Sequence, residues 1–111
     1  MMIEARLADS EQPLLAPEVL DLEILQALRR QLRLKNISLD RAASALQLFG
    51  SLPIARTSHQ QLLPRIWQLR DNLTAYDAAY VALAEVMQAP LWTRDSKYLG
   101  ASGHQAQVVV L

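Results

Sequence analysis

LTAYDAAYVALAEVMQAPLWT, residues Leu73 to Thr93, carries the pattern that decides the fold. Thr74 is a ready N-cap, and Tyr76, Tyr80, Leu83 and Met87 recur at helical spacing, so the segment predicts a helix running to about Gln88. Leu91 to Thr93 then read as a strand that delivers the chain to Arg94 and Asp95. Asp77 falls in the first turn of the helix, and Asp95 follows eighteen residues later, just past the strand. A parallel sheet can bring two such carboxylates together at its mouth. There they repel unless a divalent cation or a shared proton neutralises them, so a metal site is the leading expectation.

Upstream, the same alternation continues. Residues 1 to 9 read as a helix already under way, because Ile3, Leu7 and Ala8 are helically spaced with no capping residue ahead of them. Leu14 to Ala16 make a short strand, and Pro17 suits the first turn of a helix reaching about Lys35. Ser38 predicts the N-cap of a helix over Leu39 to Leu52, with Asp40 in its first turn. Ile54 to Thr57 read as a strand and Gln60 to Asn72 as a helix, with Leu62, Leu63, Ile66, Trp67 and Leu69 on its apolar side and Pro64 near its start. A short helix over Ser96 to Ala101 follows, and Val108 to Leu111 suit a strand covered on both faces. The order of elements predicts an α/β domain with a mainly parallel sheet flanked by helices.

With 111 residues, about half of them hydrophobic, the chain has material for one core and one domain over residues 1–111. It has no cysteine, which excludes disulfides, thiolate metal sites and cysteine nucleophiles and leaves carboxylate and histidine as metal ligands. No apolar run approaches the ~18–20 residues of a membrane span, and the start MMIEARLADSEQ has no signal-peptide core, so a soluble, cytoplasmic protein is expected. Eleven basic residues balance eleven acidic ones, giving no global attraction for a polyanion. Locally, Arg29, Arg30, Arg33 and Lys35 crowd one stretch that suits phosphate contacts, or a solvated helix end whose dipole favours cations.

Three acids lie where open α/β sheets gather function, beyond the carboxyl ends of strands: Glu23, Asp77 and Asp95. Each has a structural alternative. Thr74-x-x-Asp77 resembles a capping box, and Asp95 can be a simple N-cap. Glu23 sits between Val19 and Ala27 on one helical face, an awkward place for a charge unless it is paired, with Arg30 as a candidate partner. His59 and His104 stand alone and suit loop or surface roles better than catalysis. Asp95 with Lys97 is a poor match for a phosphate-transfer pocket.

Taken together, PEVLDLEILQALRR (Pro17 to Arg30), LTAYDAAYVALAE (Leu73 to Glu85) and APLWTRDSKYL (Ala89 to Leu99) resemble the PIN-domain nucleases, and within them the VapC-type toxins of toxin-antitoxin pairs. The resemblance covers essentially the whole chain. It implies a three-layer PIN-like domain. In it Glu23, Asp77 and Asp95 match the acids that bind Mg²⁺ or Mn²⁺ and activate water to cleave an RNA phosphodiester. Thr93 matches a small polar position beside the last acid.

The family usually opens with a central strand ending in a further Asp, and nothing before Ile3 matches it. The resemblance therefore implies a domain truncated at its N-terminus, lacking that first strand, with strand edges facing a gap and with weak or absent activity. An RNA substrate, an antitoxin partner and a homodimer are the implied associations. The alternative is a non-catalytic interaction module of the same fold, binding an antitoxin or pairing with itself. Leu25, Leu28 and Leu32 would serve such a contact, although a stripe of this kind is more often core.

Overall fold

The computed structural model describes residues 4–5, 14–95 and 97–111. Two parallel strand pairs flank a short central strand. β2 (Leu14–Pro17) lies parallel to β3 (Ile54–Thr57), in a register that sets Leu14 opposite Ile54 and Pro17 opposite Thr57. β4 (Leu91–Thr93) lies parallel to β5 (Val108–Val110), with Leu91 opposite Val108. Between them runs β1 (Glu4–Ala5), antiparallel to both β2 and β4, so the sheet order is β3-β2-β1-β4-β5.

β1 corrects two expectations. Residues 4–5 form a strand where the spacing of Ile3, Leu7 and Ala8 predicted helix, and the rest of that predicted helix lies outside the described residues. The inner edges of β2 and β4 meet β1 instead of facing a gap, which gives their backbone groups ladder partners.

The helices follow the sequence closely. α1 (Val19–Arg33) begins after Pro17, which ends β2 and does not open the helix. Glu18 at its start makes no side-chain cap; the His59 ring Nε2 accepts from the Val19 N–H at 3.1 Å and satisfies one of the free amides there. α2 (Leu39–Ser51) is capped by Ser38, whose hydroxyl accepts from the Arg41 N–H at 3.2 Å. The predicted helix over Gln60 to Asn72 is a 3₁₀ turn (Gln60–Leu62) leading into the short α3 (Leu63–Gln68), with Pro64 in its first turn. α4 (Ala75–Met87) is capped by Thr74 and ended by Gln88 in the left-handed conformation. α5 (Lys97–Gly100) follows β4.

α4 is the centre of the core. Ala78 through Leu83 and Ala84 are all buried, so the helix is enclosed on nearly every side, where the sequence suggested one apolar stripe. Tyr76 and Met87, predicted on that stripe, are exposed. Leu15, Ala16, Leu20, Leu69, Leu91 and Tyr98 join α4 in the same buried cluster. β5 departs from expectation in the other direction: it lies at the sheet edge, half-buried, with Val110 exposed.

Two ion pairs fix the elements that frame the site. Arg56 on β3 donates to Asp21 Oδ1 from Nε and Nη2, at 3.1 and 2.8 Å, tying α1 to the sheet. Arg65 on α3 grips Glu85 on α4 through both carboxylate oxygens, at 2.7 and 2.9 Å, and also donates to the Gly103 carbonyl at 2.8 Å. The Gln105 N–H adds a third bond to Glu85 at 2.7 Å, so one carboxylate holds α3, α4 and the segment leading to β5.

The Arg65 bonds hold the Glu85 carboxyl below its ordinary range, against the upward push of burial and with help from the Gln105 amide. Its contribution to stability is therefore complete above the unfolded glutamate value of about 4.3 and is lost as pH falls through the lower folded value. Glu85→Gln should cost about 1–3 kcal/mol near neutrality. In urea melts, the difference from wild type should shrink steadily as pH drops below about 4; a pH-independent difference would show that charge plays no part.

Candidate active site

The first turn of α4 and the loop after β4 meet at one edge of the domain. The Thr74 hydroxyl accepts from the Asp77 N–H at 3.1 Å, which fixes the backbone of Asp77 in the first turn of α4. The Thr74 side chain thus makes the N-cap, and the Asp77 carboxylate takes further partners from α5. Tyr98, fully buried on α5, donates its hydroxyl to Asp77 Oδ1 at 2.7 Å. Lys97 places its ammonium 2.8 Å from Asp77 Oδ2.

Asp95 is built by its own turn. Buried Thr93 offers Oγ1 to the Asp95 N–H at 3.0 Å, and Asp95 Oδ1 accepts from the Lys97 N–H at 2.9 Å, opening α5. The other oxygen, Asp95 Oδ2, lies 3.3 Å from the Lys97 ammonium. Asp77 and Asp95 therefore turn their Oδ2 atoms to a single cation, while each Oδ1 is occupied by a donor that fixes the carboxylate's orientation.

Glu23 reaches the site less directly. It sits on α1, and Tyr80, one helical turn beyond Asp77, donates its hydroxyl to Glu23 Oε1. Arg30, the partner suggested by sequence, is not the one Glu23 takes among the described residues. Among those residues, too, no three His, Asp or Glu side chains lie close enough to hold one metal ion together. The two aspartates converge on one point, and Glu23, bonded to Tyr80 one turn along α4 from Asp77, does not share it.

The charges tune one another. Burial pushes the Asp77 carboxyl up, but the hydrogen bonds from Lys97, Tyr98 and Thr74 together outweigh it and hold the group below its ordinary value. The bond to Asp77 likewise holds the Lys97 ammonium above the usual lysine range, overcoming its partial desolvation. Burial, followed by the bond to Asp77, drives the Tyr98 hydroxyl far upward, and Tyr80 is raised in the same way by burial and Glu23. Both tyrosines thus keep their protons near neutrality and donate them to these carboxylates. The donor set also suits a hard divalent cation: two carboxylate oxygens already converge on a positive centre at ion-pair distance, with no sulfur or imidazole among them.

Beside Glu23 an open groove of about 720 Å³ runs along α1, lined by Leu22, Gln26, Arg30 and Leu34, with Tyr76 from the first turn of α4. Leu22 is 67% exposed, Leu34 56% and Leu25 46%. Leu28 and Leu32 are half-buried, so of the stripe Leu25, Leu28 and Leu32 none is fully buried and Leu25 is exposed. Arg29, Arg30, Arg33 and Lys35 are all exposed, with Arg30 and Arg33 in the last turn of α1, where the helix dipole favours them.

Sequence reasoning did not assign Lys97, Tyr98 or Tyr80 to the site. Tyr80 lies three residues after Asp77, on the same helical face, and Lys97 and Tyr98 follow Asp95 directly enough to share its turn; that spacing is the signal that was present. The lone histidines have structural tasks. His59 serves α1, and His104 bonds the Tyr98 carbonyl at 2.9 Å from Nε2 while its Nδ1 accepts from the Ala106 N–H at 3.2 Å.

A protein-family model described as PIN domain matches residues 3–109. Among curated proteins, Ribonuclease VapC1 of Mycobacterium tuberculosis is 42% identical over 94 residues, 84% of this chain and 71% of that protein. Ribonuclease VapC9 of the same organism is 34% identical over 108 residues, 97% of this chain and 85% of that protein. Ribonuclease VapC12 is 36% identical over 93 residues, 84% of this chain and 72% of that protein. No solved structure gives a significant match.

Proposed function

We propose, from the premise that this chain belongs to the PIN domain family, that it is a VapC-type ribonuclease toxin whose acidic pair Asp77 and Asp95 forms the metal-dependent cleavage site. The observation that carries this reading is the convergence of two carboxylate oxygens on one cation, at 2.8 and 3.3 Å, beyond the carboxyl end of β4.

Asp77 Oδ2 and Asp95 Oδ2 are the oxygens that would hold Mg²⁺ or Mn²⁺, and Glu23 is the third acid of the cleft. Bound there, a divalent cation supplies polarisation of a phosphoryl oxygen and lowers the pKa of coordinated water. The chain's own residues do the positioning. Tyr98 and the Lys97 N–H hold the outer oxygen of each aspartate, so the inner oxygens keep their aim. Thr93 fixes the turn that carries Asp95, and Tyr80 orients Glu23 at the head of the groove. Arg30 within the groove and Arg29, Arg33 and Lys35 beyond it offer cations to an RNA backbone approaching the acids.

A proteinaceous antitoxin is the corresponding partner. The exposed leucines Leu22 and Leu34, which line the groove together with Glu23, support a protein segment lying in it, since exposed apolar side chains grouped along a cleft mark interaction surfaces. The same leucines are the observation that favours a second reading, a PIN-fold binding module that does not cut RNA. Homodimer formation is a further proposal of the family resemblance. Among the described residues, no helix is long and apolar enough to cross a membrane.

Thermal shift with Mn²⁺ separates the two readings. Saturating Mn²⁺ at about 100 times its Kd should stabilise the wild type by roughly 2.7 kcal/mol, and Asp95→Asn should abolish most of that gain. A wild type indifferent to Mn²⁺ and inert towards RNA would favour the binding module.

A further inference from the structure

Lys97 is the one residue of the site whose charge has the wrong sign for a metal ligand. Its ammonium nevertheless stands between the two oxygens that face a common point, 2.8 Å from Asp77 Oδ2 and 3.3 Å from Asp95 Oδ2. We propose that Lys97 is a tethered counter-ion that occupies the divalent-cation position between Asp77 and Asp95 in the metal-free protein, and that metal binding displaces its ammonium. This rests on reading the acidic pair as the metal site, and adds to it a residue that competes with the metal.

Three features support displacement over coexistence. A magnesium ion approaches oxygen ligands at about 2.0–2.1 Å, so it needs the same two oxygen lone pairs that the ammonium now engages. Two positive centres sharing those oxygens would stand within a few ångströms and repel one another. The Lys97 side chain is 46% exposed, whereas those of Asp77 and Asp95 are 15% and 29% exposed. Of the three, the lysine alone can return its charge to water with little rearrangement, on a flexible four-carbon stem.

The backbone need not move when it does so. Lys97 is the first residue of α5, its N–H donates to Asp95 Oδ1, and Tyr98 beside it is buried with its hydroxyl on Asp77. Those bonds keep both carboxylates aimed while only the ammonium leaves. Lys97 then has two consequences. It suppresses repulsion between the aspartates in the metal-free chain, and it raises the metal concentration needed to load the site.

The test is calorimetric titration of the full chain with MnCl₂ at low ionic strength, comparing wild type, Lys97→Gln and Asp77→Asn. Lys97→Gln should bind Mn²⁺ about five- to tenfold more tightly than wild type, the scale set by a partly exposed ion pair. It should also melt at a lower temperature in EDTA. Added salt should narrow the affinity difference by screening the pair.

Equal or weaker Mn²⁺ binding by Lys97→Gln, with wild-type binding that depends on Asp77, overturns the counter-ion role alone. No Mn²⁺ binding by either protein overturns the metal-site reading and this proposal with it. A second measurement needs no folded Lys97→Gln. In ¹⁵N-lysine spectra of the wild type, the Lys97 Nζ signal should move towards the free-lysine position as Mg²⁺ is added. A signal that stays fixed through saturable, Asp77-dependent Mg²⁺ binding overturns the proposal.

Discussion

Asp77→Asn should lower RNA cleavage by about a hundred- to a thousandfold while leaving the chain folded, the range seen when one preorganised electrostatic group is removed from an active site. The substitution keeps the shape of the side chain and an oxygen able to accept from Tyr98, and it does not touch the Thr74 cap, which uses the Asp77 backbone N–H. What it removes is one negative charge at the point where Asp77 Oδ2 and Asp95 Oδ2 converge. A neutral amide is a far weaker partner for a divalent cation than a carboxylate. The loss of the Lys97 pair should cost only up to about 1 kcal/mol, because that ammonium is half in water. Single-turnover cleavage of a short RNA with Mg²⁺, beside a thermal melt of the same preparation, reads both quantities. Activity within tenfold of wild type would remove Asp77 from the chemistry, and a collapsed melt would assign it to the fold instead.

The loss should also be confined to the chemical step. The groove that would carry the RNA is lined by α1 and by Tyr76, and Arg29, Arg30, Arg33 and Lys35 stand apart from the aspartates on α1 and just beyond it. Binding of RNA measured without cleavage should therefore survive Asp77→Asn, and its salt dependence should be unchanged, since the number of phosphate contacts is the same.

How far the sequence foretold this site depends on the range over which each signal acts. Thr74 and Ser38 announced their helices because a cap is a contact within three residues. The Leu91 to Thr93 strand and the turn bearing Asp95 were equally legible, being local runs of apolar and then polar residues. β1 was not, because two residues become a strand only through neighbours far along the chain, Leu15 on one side and Leu91 on the other. Leu22, Leu25 and Leu34 carry the hydrophobicity of core residues, and among the described residues they are exposed because nothing there covers that part of α1. Ala78, Ala79, Ala82 and Ala84 erred the other way: small side chains left α4 looking like a one-sided helix when they allow neighbours to close around it. Position alone marked the acids as candidates; the tyrosines bonded to two of them were hidden, since Tyr80–Glu23 and Tyr98–Asp77 span 57 and 21 residues.

Leu83→Ala should destabilise the fold by about 2–5 kcal/mol, the cost of emptying a leucine-sized site in a well-packed core. Leu83 is 1% exposed at the middle of α4, in the cluster that also contains Leu20, Leu69, Leu91 and Tyr98. For a domain of this size the whole stability is about 5–15 kcal/mol, and the loss should lower the melting temperature by on the order of 10 °C or more. Leu22→Ala is the matched comparison. The same atoms are removed from a side chain that is 67% exposed, and the change should stay within about 0.5 kcal/mol. Urea unfolding decides it through the midpoint, with an unchanged slope indicating that the same surface is exposed on unfolding. Because α4 carries Asp77 at its capped end, Leu83→Ala should lose Mn²⁺ stabilisation only at temperatures where it unfolds. Loss of metal binding in the still-folded protein would mean that packing under α4 sets the aim of the carboxylate, beyond what Thr74 and Tyr98 provide.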